Sequence, residues 1–240
     1  MRVERFIAGW FCGAAGVFRR DDDLDREVRF PVPVYLVETD TERILIDTGL
    51  HPDAAANTDR HYGPTFGPFR LEQEASIADQ LDLSTLTRVV LTHLHFDHAG
   101  GLALLPADVP VVVQRREWEA AHDATAIARN FFYARDYAPV DERVVLVDGD
   151  CDLLGDGLVR LLLTPGHTPG HQSVRVGHAL VLGADVTHFA SGLDDHRFPI
   201  FADDHTAQAA SAERLRALRD SGATVVPGHD PALIAPGTVS

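Results

Sequence analysis

The 240-residue sequence contains no lysine, one methionine and only two cysteines, Cys12 and Cys151. Because these cysteines are far apart and form no CxxC pair, they provide neither a disulfide framework nor a cysteine-based zinc site. Such low cysteine usage fits a reducing cytosol, so we expect a cytoplasmic protein. All 21 basic residues are arginine and face 36 acidic residues, giving a formal net charge of −15. An acidic surface repels nucleic-acid backbones and anionic membranes, and we therefore expect no nucleic acid and no membrane as partners.

Long apolar runs and flexible linkers are also missing. The apolar stretch at residues 6–18 is shorter than a membrane span and rich in glycine. A secretory signal is the minor alternative for this stretch, because Glu4 interrupts the basic pair Arg2 and Arg5. No Pro/Gly/Ser-rich linker or fixed-period repeat divides the chain. With 45% hydrophobic residues the chain can bury a substantial core, and we expect residues 1–240 to form one domain.

Short β-rich segments recur along the chain, with helical segments between or after them. Residues 32–38, 88–92 and 180–183 have the composition of strands, whereas residues 207–220 have the pattern of a helix that ends before Gly222. This mixture predicts an α/β fold. Two packed sheets covered by helices would suit it, although periodicity alone leaves other α/β layouts open.

The segment with the strongest chemical signal is THLHFDHAGG at residues 92–101, directly after a predicted strand. His93 and His95 alternate at the strand end and can point toward one metal ion, while the following turn brings Asp97 and His98 toward a second. Imidazole and carboxylate ligands suit zinc and also accept manganese, cobalt or iron. Because four potential ligands fall within six residues, HxHxDH is far more specific than a single histidine.

Three further candidate ligands lie at distant points of the sequence. They are His167 in TPGHTPGH, Asp185 in LGAD and His229 in PGHD. Each follows a strand signal, and loops at one sheet edge can gather ligands that are far apart in sequence. A glycine precedes both histidines, and we expect it to permit a sharp turn there. Alone, each residue would more often be structural; together with HxHxDH they complete a ligand set.

Together these motifs resemble the metallo-β-lactamase superfamily, from about Val32 to Asp230, and most of all its N-acyl-homoserine lactone hydrolases. The segments VQRREWEAA (113–121) and TPGHTPGHQS (164–173) look like corresponding segments of that subfamily. The resemblance implies an αββα sandwich, in which two mixed β-sheets are flanked by helices. It also implies two divalent metal ions, zinc above all, at one edge between the sheets.

By this resemblance each residue of the ligand set has a role. One metal would be held by His93, His95 and His167, the other by Asp97, His98 and His229, with Asp185 bridging both. The implied reaction is opening of a lactone ring by a metal-bridging hydroxide. Asp97 could additionally orient the nucleophile or accept its proton. A small-molecule lactone or ester is the expected substrate, and the oligomeric state stays open, with a homodimer among the alternatives.

The chain departs from the lactonase pattern at one catalytic position. Those enzymes usually carry a tyrosine three residues after the bridging aspartate, whereas this chain has His188 three residues after Asp185. We predict a catalytic role for His188 as a hydrogen-bond donor, although its reach and pKa differ from those of a phenol. A surface or packing histidine is the alternative. The nearby His171 fits a supporting role better than a ligand role.

Other functions of the same fold remain alternatives. An esterase or thioesterase would keep the metals and change the substrate-binding surface. A β-lactam hydrolase is disfavoured because Asp185 replaces the cysteine or serine of those sites, and a nuclease is disfavoured by net charge. A mononuclear-iron persulfide dioxygenase is harder to exclude, and metal content with oxygen consumption would separate it. A metal-binding protein without catalytic activity is the remaining alternative.

Several aromatic residues could line a site for an acyl chain. They are Phe66, Phe69, Phe131, Phe132, Tyr133 and Tyr137. Aromatic side chains more commonly belong to the core, so we assign all six to core packing at this stage.

Overall fold

The computed structural model describes residues 1–64, 66–67 and 69–239. Its strands are β1 (Arg2–Ala14), β2 (Glu27–Glu38), β3 (Arg43–Ile46), β4 (Arg70–Glu72), β5 (Arg88–Val90), β6 (Val111–Gln114), β7 (Val144–Val147), β8 (Cys151–Asp152), β9 (Val159–Leu163), β10 (Gln172–Val176), β11 (Leu180–Ala184), β12 (Thr224–Pro227) and β13 (Gly237–Thr238). Its helices are α1 (Ala15–Phe18), α2 (Pro52–Ala56), α3 (Thr58–Tyr62), α4 (Ile77–Gln80), α5 (Phe96–Ala99), α6 (Arg115–Ala120), α7 (Ala124–Asn130), α8 (Ala134–Tyr137), α9 (Gly192–Asp195) and α10 (His205–Asp220). Short 3₁₀ turns cover Leu83–Thr85, Gly100–Leu104 and Ala138–Arg143.

The strands form two mixed sheets. In the first sheet the order is β13-β1-β2-β3-β5-β6-β7, and β4 also pairs with β1. Strands β1, β2 and β3 are antiparallel neighbours, whereas β3, β5, β6 and β7 run parallel. The second sheet has the order β12-β11-β10-β9-β8, and only its β11–β12 pair is parallel among the described pairs.

The layers of the fold form because successive side chains along a strand face opposite sides of its sheet. On β3, Leu45 packs with Ile77 in a cluster beneath the helices, whereas Ile44 points the other way and joins Leu161 of the second sheet. Successive strand side chains face opposite sides, so one strand serves both interfaces. Helix α10 covers the outer face of the second sheet, where it packs on Val181. These layers confirm the predicted αββα sandwich.

Two segments differ from their sequence-based expectation in extent. Residues 6–18 contribute to β1, which pairs with β2 from Arg2 to Ala14, and to α1. The predicted helix at residues 207–220 is α10, which starts two residues earlier because the Asp204 side chain accepts hydrogen bonds from the Thr206 and Ala207 N–H groups at 2.8 and 3.1 Å. Within the described residues, no helix combines the length and apolar character that a membrane crossing requires.

Strand direction determines where the candidate ligands meet. Strand β9 is antiparallel to β10 and β10 to β11, while β11 is parallel to β12. The carboxyl ends of β9, β11 and β12 therefore lie at one edge of the second sheet, and those of the parallel strands β3 and β5 share an edge of the first sheet. The loops after β5, β9, β11 and β12 carry every residue of the predicted ligand set.

Candidate metal centre

The HxHxDH segment follows β5 and enters α5 directly. His95 is the residue before the helix, and Asp97 and His98 lie in its single turn. All four candidate ligands of the segment, His93 included, are buried. A short helix immediately after a strand thus turns residues that are adjacent in sequence toward two neighbouring positions.

The structure brings the candidate ligands together in two clusters. Ligand atoms lie within 4.8 Å of one another in each of the groups His93, His95, His167 and Asp97, His98, His229. In the first cluster, His167 Nε2 lies 3.0 Å from His95 Nδ1. In the second, His98 Nε2 lies 3.4 Å from His229 Nε2. The clusters have the grouping that the resemblance implies.

Asp185 lies between the two clusters. Its Oδ2 is 3.4 Å from His167 Nε2 and 3.9 Å from His93 Nε2. Its Oδ1 is 3.1 Å from His229 Nε2 and 3.6 Å from His98 Nε2. One carboxylate therefore reaches both clusters, which is the arrangement that a bridging ligand requires.

The glycines before two of the histidines act differently. Gly166 has a φ of +129°, as expected for a sharp turn, and a Cβ there would lie 2.1 Å from the backbone nitrogen of Gln208 near the start of α10. The chain also bends at Gly228, but without a positive φ there, and a Cβ at this position would lie 2.1 Å from Asp185 Oδ1. The small size of Gly228 therefore leaves room for the Asp185 carboxylate.

Hydrogen bonds orient the imidazoles for ligation. His95 Nε2 donates to the Asn130 carbonyl and His229 Nδ1 to the Pro31 carbonyl, each at 2.8 Å. A carbonyl oxygen only accepts, so the other ring nitrogen of each histidine points a lone pair into the site. His93 Nε2 and Asp185 Oδ1 are buried without a hydrogen-bond partner among the described residues.

Buried polar atoms are rarely left without partners. A set of converging imidazole lone pairs and a carboxylate is the donor chemistry of zinc and similar divalent ions. The residues present therefore fit two bound metal ions.

The electrostatics of the first cluster favour neutral imidazoles. Burial, reinforced by neighbouring imidazoles, holds the pKa of His93 and of His167 well below the ordinary histidine value. Burial also lowers the pKa of His95 to about 4. Burial alone would raise the pKa of Asp185, but nearby His229 and other imidazoles hold it well below its usual range. Neutral imidazoles and an ionised carboxylate are the protonation states that bind divalent cations.

The second cluster attracts positive charge. Burial opposes protonation of His98, yet the carboxylates of Asp97, Asp47 and Asp185 hold its pKa well above the ordinary value. His229 shows the same balance, in which burial is outweighed by Asp185 and Asp97, and its pKa is raised. The carboxylates around this cluster therefore favour a cation between them.

Asp47 is a supporting residue that the sequence analysis missed. It follows β3, has a φ of +62° and accepts hydrogen bonds from the Thr92 N–H at 2.7 Å and the Thr92 hydroxyl at 2.8 Å. The His98 Nδ1 lies 2.8 Å from Asp47 Oδ2, the same oxygen that accepts the hydrogen bond from the Thr92 hydroxyl. Asp47 thereby orients a candidate ligand from behind. Its only signal in the sequence is its position directly after the apolar run of β3.

Glu117 is a second supporting residue that was missed. Its carboxyl oxygens accept hydrogen bonds from the Leu94 N–H at 3.0 Å and the Gly170 N–H at 2.8 Å. Burial raises its pKa to about 7, although the hydrogen bonds oppose this shift. Glu117 ties the HxHxDH segment to the loop that carries His167. The segment VQRREWEAA contains it, but nothing in that segment distinguishes a buried glutamate from an exposed one.

His171 and His188 both contact Asp185. His171 Nε2 accepts a hydrogen bond from the Asp185 N–H at 3.1 Å, and its Nδ1 lies 3.0 Å from the Thr164 carbonyl. His188 is buried, and its Nε2 is 2.9 Å from Asp185 Oδ2. A surface position for His188 is therefore wrong. Together with His167 and Asp185, it also forms a third group of potential ligand atoms.

An aromatic chamber of about 350 Å³ opens onto the two clusters. Its polar end contains His95, Asp97, Asp185 and His188. Its aromatic wall consists of Phe11, Phe18, Phe66, Phe69, Phe96, Phe131, Tyr133 and Phe201. Of the six aromatics assigned to the core, Phe66, Phe132 and Tyr137 are buried in core clusters, although Phe66 also lines the chamber. Phe69 and Tyr133 are partly buried and pack against the cluster of Phe66 while lining the chamber, and the assignment was wrong for Phe131, which is exposed. The chamber could hold an apolar acyl group beside the clusters.

Comparison with known proteins agrees with this architecture. The profile of the metallo-beta-lactamase superfamily matches residues 28–229, and the chain belongs to this superfamily. Among curated proteins, it is 29% identical over 221 residues to the N-acyl homoserine lactonase AttM of Azorhizobium caulinodans, covering 85% of this chain and 84% of that protein. It is 28% identical over 217 residues to the N-acyl homoserine lactonase AiiA of Bacillus thuringiensis subsp. kurstaki, covering 85% and 82%.

Solved structures show the same similarity. An N-acyl homoserine lactone hydrolase with N-hexanoyl-L-homoserine bound at its catalytic metal centre superimposes with a TM-score of 0.84 at 26% identity, covering 96% of this chain and 94% of that chain. The dizinc quorum-quenching lactonase AidC has a TM-score of 0.73 at 17% identity, covering 98% and 92%, and supports the fold alone.

Proposed function

We propose that this chain is a metal-dependent hydrolase that opens lactone rings, with N-acyl-homoserine lactones as its first candidate substrates. The observation that carries the proposal is the pair of buried ligand clusters joined by Asp185 at the end of an aromatic chamber. The names of the AttM and AiiA relatives supply the substrate class. An acyl-homoserine lactone has an apolar chain for the chamber and an ester carbonyl for the clusters.

Two divalent ions, zinc in the first place, would occupy the clusters. They would be held by His93, His95 and His167, by Asp97, His98 and His229, and by Asp185 between them. Bound there, they would supply an activated hydroxide at neutral pH and polarise the ester carbonyl. The five imidazoles of the two clusters would be neutral ligands, and the carboxylates of Asp97 and Asp185 would be the two anionic ligands of the cations.

The chain's own residues would position the substrate and move its protons. The aromatic wall would bind the acyl chain and exclude water from the polar end. The Asp97 carboxylate, which lines that end, would accept the proton of the attacking nucleophile. In its doubly protonated form, with Nε2 donating to Asp185 Oδ2, His188 would donate a hydrogen bond from Nδ1 to the substrate carbonyl or to the departing alkoxide, in the place of the tyrosine of related lactonases.

Metal binding is the first testable consequence. Protein stripped with a chelator and reloaded with zinc is expected to bind two ions per chain. At zinc about 1,000-fold above Kd, each ion would stabilise the fold by about 4 kcal/mol. For a chain of this size we expect a rise in Tm of at least about 8 °C by calorimetry. His93→Ala should lose bound metal, whereas His122→Ala, at an exposed histidine, should keep both ions. A stoichiometry of one in the reloaded wild type would contradict the dinuclear site.

The function itself is tested by measuring proton release on a substrate panel. The zinc-loaded protein would be given acyl-homoserine lactones of increasing chain length, simple γ- and δ-lactones, an alkyl ester and a thioester. Burial of one methylene is worth about 0.8 kcal/mol, so kcat/KM should rise about fourfold per methylene until the chamber is full. Turnover of the ester or thioester with no lactone opening would move the assignment to the esterase or thioesterase alternative.

The role of His188 is tested by a pair of substitutions. His188→Phe keeps an aromatic ring but removes the donor, and we expect kcat to fall about 10- to 100-fold with little change in KM, because a hydrogen bond to a developing charge is worth about 1.5–3 kcal/mol. His188→Tyr restores a donor and should recover part of kcat. Unchanged kcat in His188→Phe would refute a catalytic role. Loss of a bound ion in that variant would instead identify His188 as a ligand.

The iron-dependent dioxygenase is the alternative from another class of chemistry. It would need one iron ion, whereas the structure presents a second buried cluster with its own carboxylate, Asp97. This observation favours the hydrolase. Iron as the metal of the purified protein, together with oxygen consumption on a persulfide, would reverse the preference.

A further inference from the structure

A second cavity lies on the outer side of the second sheet, apart from the aromatic chamber. It measures about 470 Å³ and lies between β9, β10 and α10. Its lining includes three arginines, Arg160, Arg175 and Arg214, and a single carboxylate, Asp150. The lining is therefore positively charged, although the whole chain has a formal net charge of −15. We call this cavity the arginine groove.

Two of these arginines are held directly opposite each other. Arg175 on β10 is the register partner of Arg160 on β9, so both side chains stand on the same face of the sheet. Like charges placed directly opposite each other on antiparallel strands destabilise a sheet. Among the described residues, neither guanidinium lies within 4.0 Å of a carboxylate oxygen, the distance that defines the ion pairs of this chain. Among the described residues, no ion pair within that distance therefore offsets the repulsion between these two guanidinium groups.

The polar groups beside these two arginines make other hydrogen bonds. Asp152, the register partner of Arg160 on its other side, directs its carboxylate to the Gly155 and Gly157 N–H groups at 2.9 and 2.8 Å; it keeps its negative charge but forms no ion pair with Arg160 within 4.0 Å. Arg175 Nη2 donates to the His178 carbonyl at 3.1 Å, but its Nε is buried without a partner among the described atoms. The buried Arg175 N–H group without an acceptor, together with the positive charges of Arg160 and Arg175, is suited to bind an anion.

The third arginine is fixed at the rim. Arg214 of α10 pairs with Asp150 through its two terminal nitrogens, Nη1 and Nη2. Its Nη1 also donates to the Leu163 carbonyl at 3.0 Å. Asp150 pairs with Arg214 and also attracts Arg160 at longer range, so three guanidinium groups face one carboxylate and the lining keeps a net positive charge. Leu162 and Leu218 provide an apolar surface beside them.

We propose that the arginine groove is a binding site for the phosphate group of a small phosphorylated metabolite or for free phosphate. Arg160 and Arg175 would contact the phosphate, since planar guanidinium forks match its oxygens and a dianion balances two charges. Leu162 and Leu218 would contact any apolar part of the metabolite. This site does not depend on the reaction proposed for the metal centre.

The test is calorimetric titration of the metal-loaded protein at constant ionic strength with inorganic phosphate, ADP and adenosine. The proteins are the wild type, Arg160→Gln, Arg175→Gln and, as a matched control, Arg116→Gln, which removes an exposed charge on α6. We expect the affinity for phosphate or ADP to fall at least tenfold in both groove variants and to stay unchanged in the control. Any phosphate held at the metal centre is common to all four proteins and cancels in the comparison.

A second measurement separates this effect from misfolding. At low ionic strength without added anion, Arg160→Gln should have a Tm equal to or above that of the wild type, because the repulsion is removed while the anion is absent. Tighter binding of ADP than of phosphate would identify a phosphorylated metabolite as the ligand, and the reverse would identify free phosphate. Equal affinity in all four proteins, or adenosine binding as tightly as ADP, would overturn the proposal.

Discussion

Asp185→Asn is expected to lower kcat/KM for a lactone by about 1,000-fold or more. The substitution keeps the size of the side chain but removes the negative charge that reaches both clusters, with oxygens 3.1 Å from His229 Nε2 and 3.4 Å from His167 Nε2. A metal pair contributes several kcal/mol to a hydrolytic transition state, and about 4 kcal/mol corresponds to three orders of magnitude in rate. We expect the variant to lose at least one of its two ions for the same reason.

Three measurements together make this result specific. Metal content per chain should fall below two, kcat/KM should fall, and the far-ultraviolet circular dichroism spectrum should remain that of the wild type. Asp194→Asn is the matched control, because Asp194 is exposed on α9 and pairs with Arg219 away from the clusters. Full turnover with two bound ions in Asp185→Asn would refute the bridging role.

Glu117→Ala is expected to destabilise the protein by about 3 kcal/mol. The Glu117 carboxyl is fully buried and accepts hydrogen bonds from the Leu94 and Gly170 N–H groups. Without the carboxyl, these two buried N–H groups lose their acceptor, and each unsatisfied group costs about 1–3 kcal/mol of folding free energy. Part of this cost is offset because an ionisable group no longer has to be buried. For a chain of this length that corresponds to a fall in Tm of about 6–12 °C.

The same substitution should weaken metal binding, because Glu117 joins the loops that carry His95 and His167. Loss of such a supporting contact commonly costs 10- to 100-fold in metal affinity. Glu119→Ala on the same helix is the control, since Glu119 is exposed and its removal should leave both properties unchanged. Glu117→Gln keeps one acceptor oxygen, so its Tm and metal affinity should lie between those of Glu117→Ala and Glu119→Ala. A Tm within a degree of the wild type in Glu117→Ala would show that water replaces the carboxyl without cost.

Much of the fold was predictable because its signals are local. Strand-like composition identified residues 32–38, which are the second half of β2, and the helical pattern of residues 207–220 identified α10 to within two residues at its start. Strand β1 was harder, because glycines interrupt its pattern and because two of the strands that it pairs with, β4 and β13, are distant in sequence. A strand whose pairing partners are distant gives little evidence of itself in its own residues.

The candidate site likewise contains residues that the sequence reveals and residues that only the structure reveals. HxHxDH concentrates four candidate ligands in one turn, so its chemistry is visible in the order of the residues. Asp47 and Glu117 act through contacts with segments 45 and 53 residues away, at Thr92 and Gly170. Isolated acidic residues of this kind are common on protein surfaces. Their role depends on burial, which the sequence does not report.

The sequence by itself determined the class of fold, the residue types that converge at the metal centre and the absence of lysine that makes every cationic side chain a guanidinium. The tertiary structure decided which atoms meet. Strand direction placed Asp185 between two clusters, packing turned four of six candidate aromatics into a chamber wall, and strand register set Arg160 opposite Arg175. The physical reason is that ligand chemistry belongs to single side chains, whereas distance, burial and register arise only when strands far apart in sequence pair and pack.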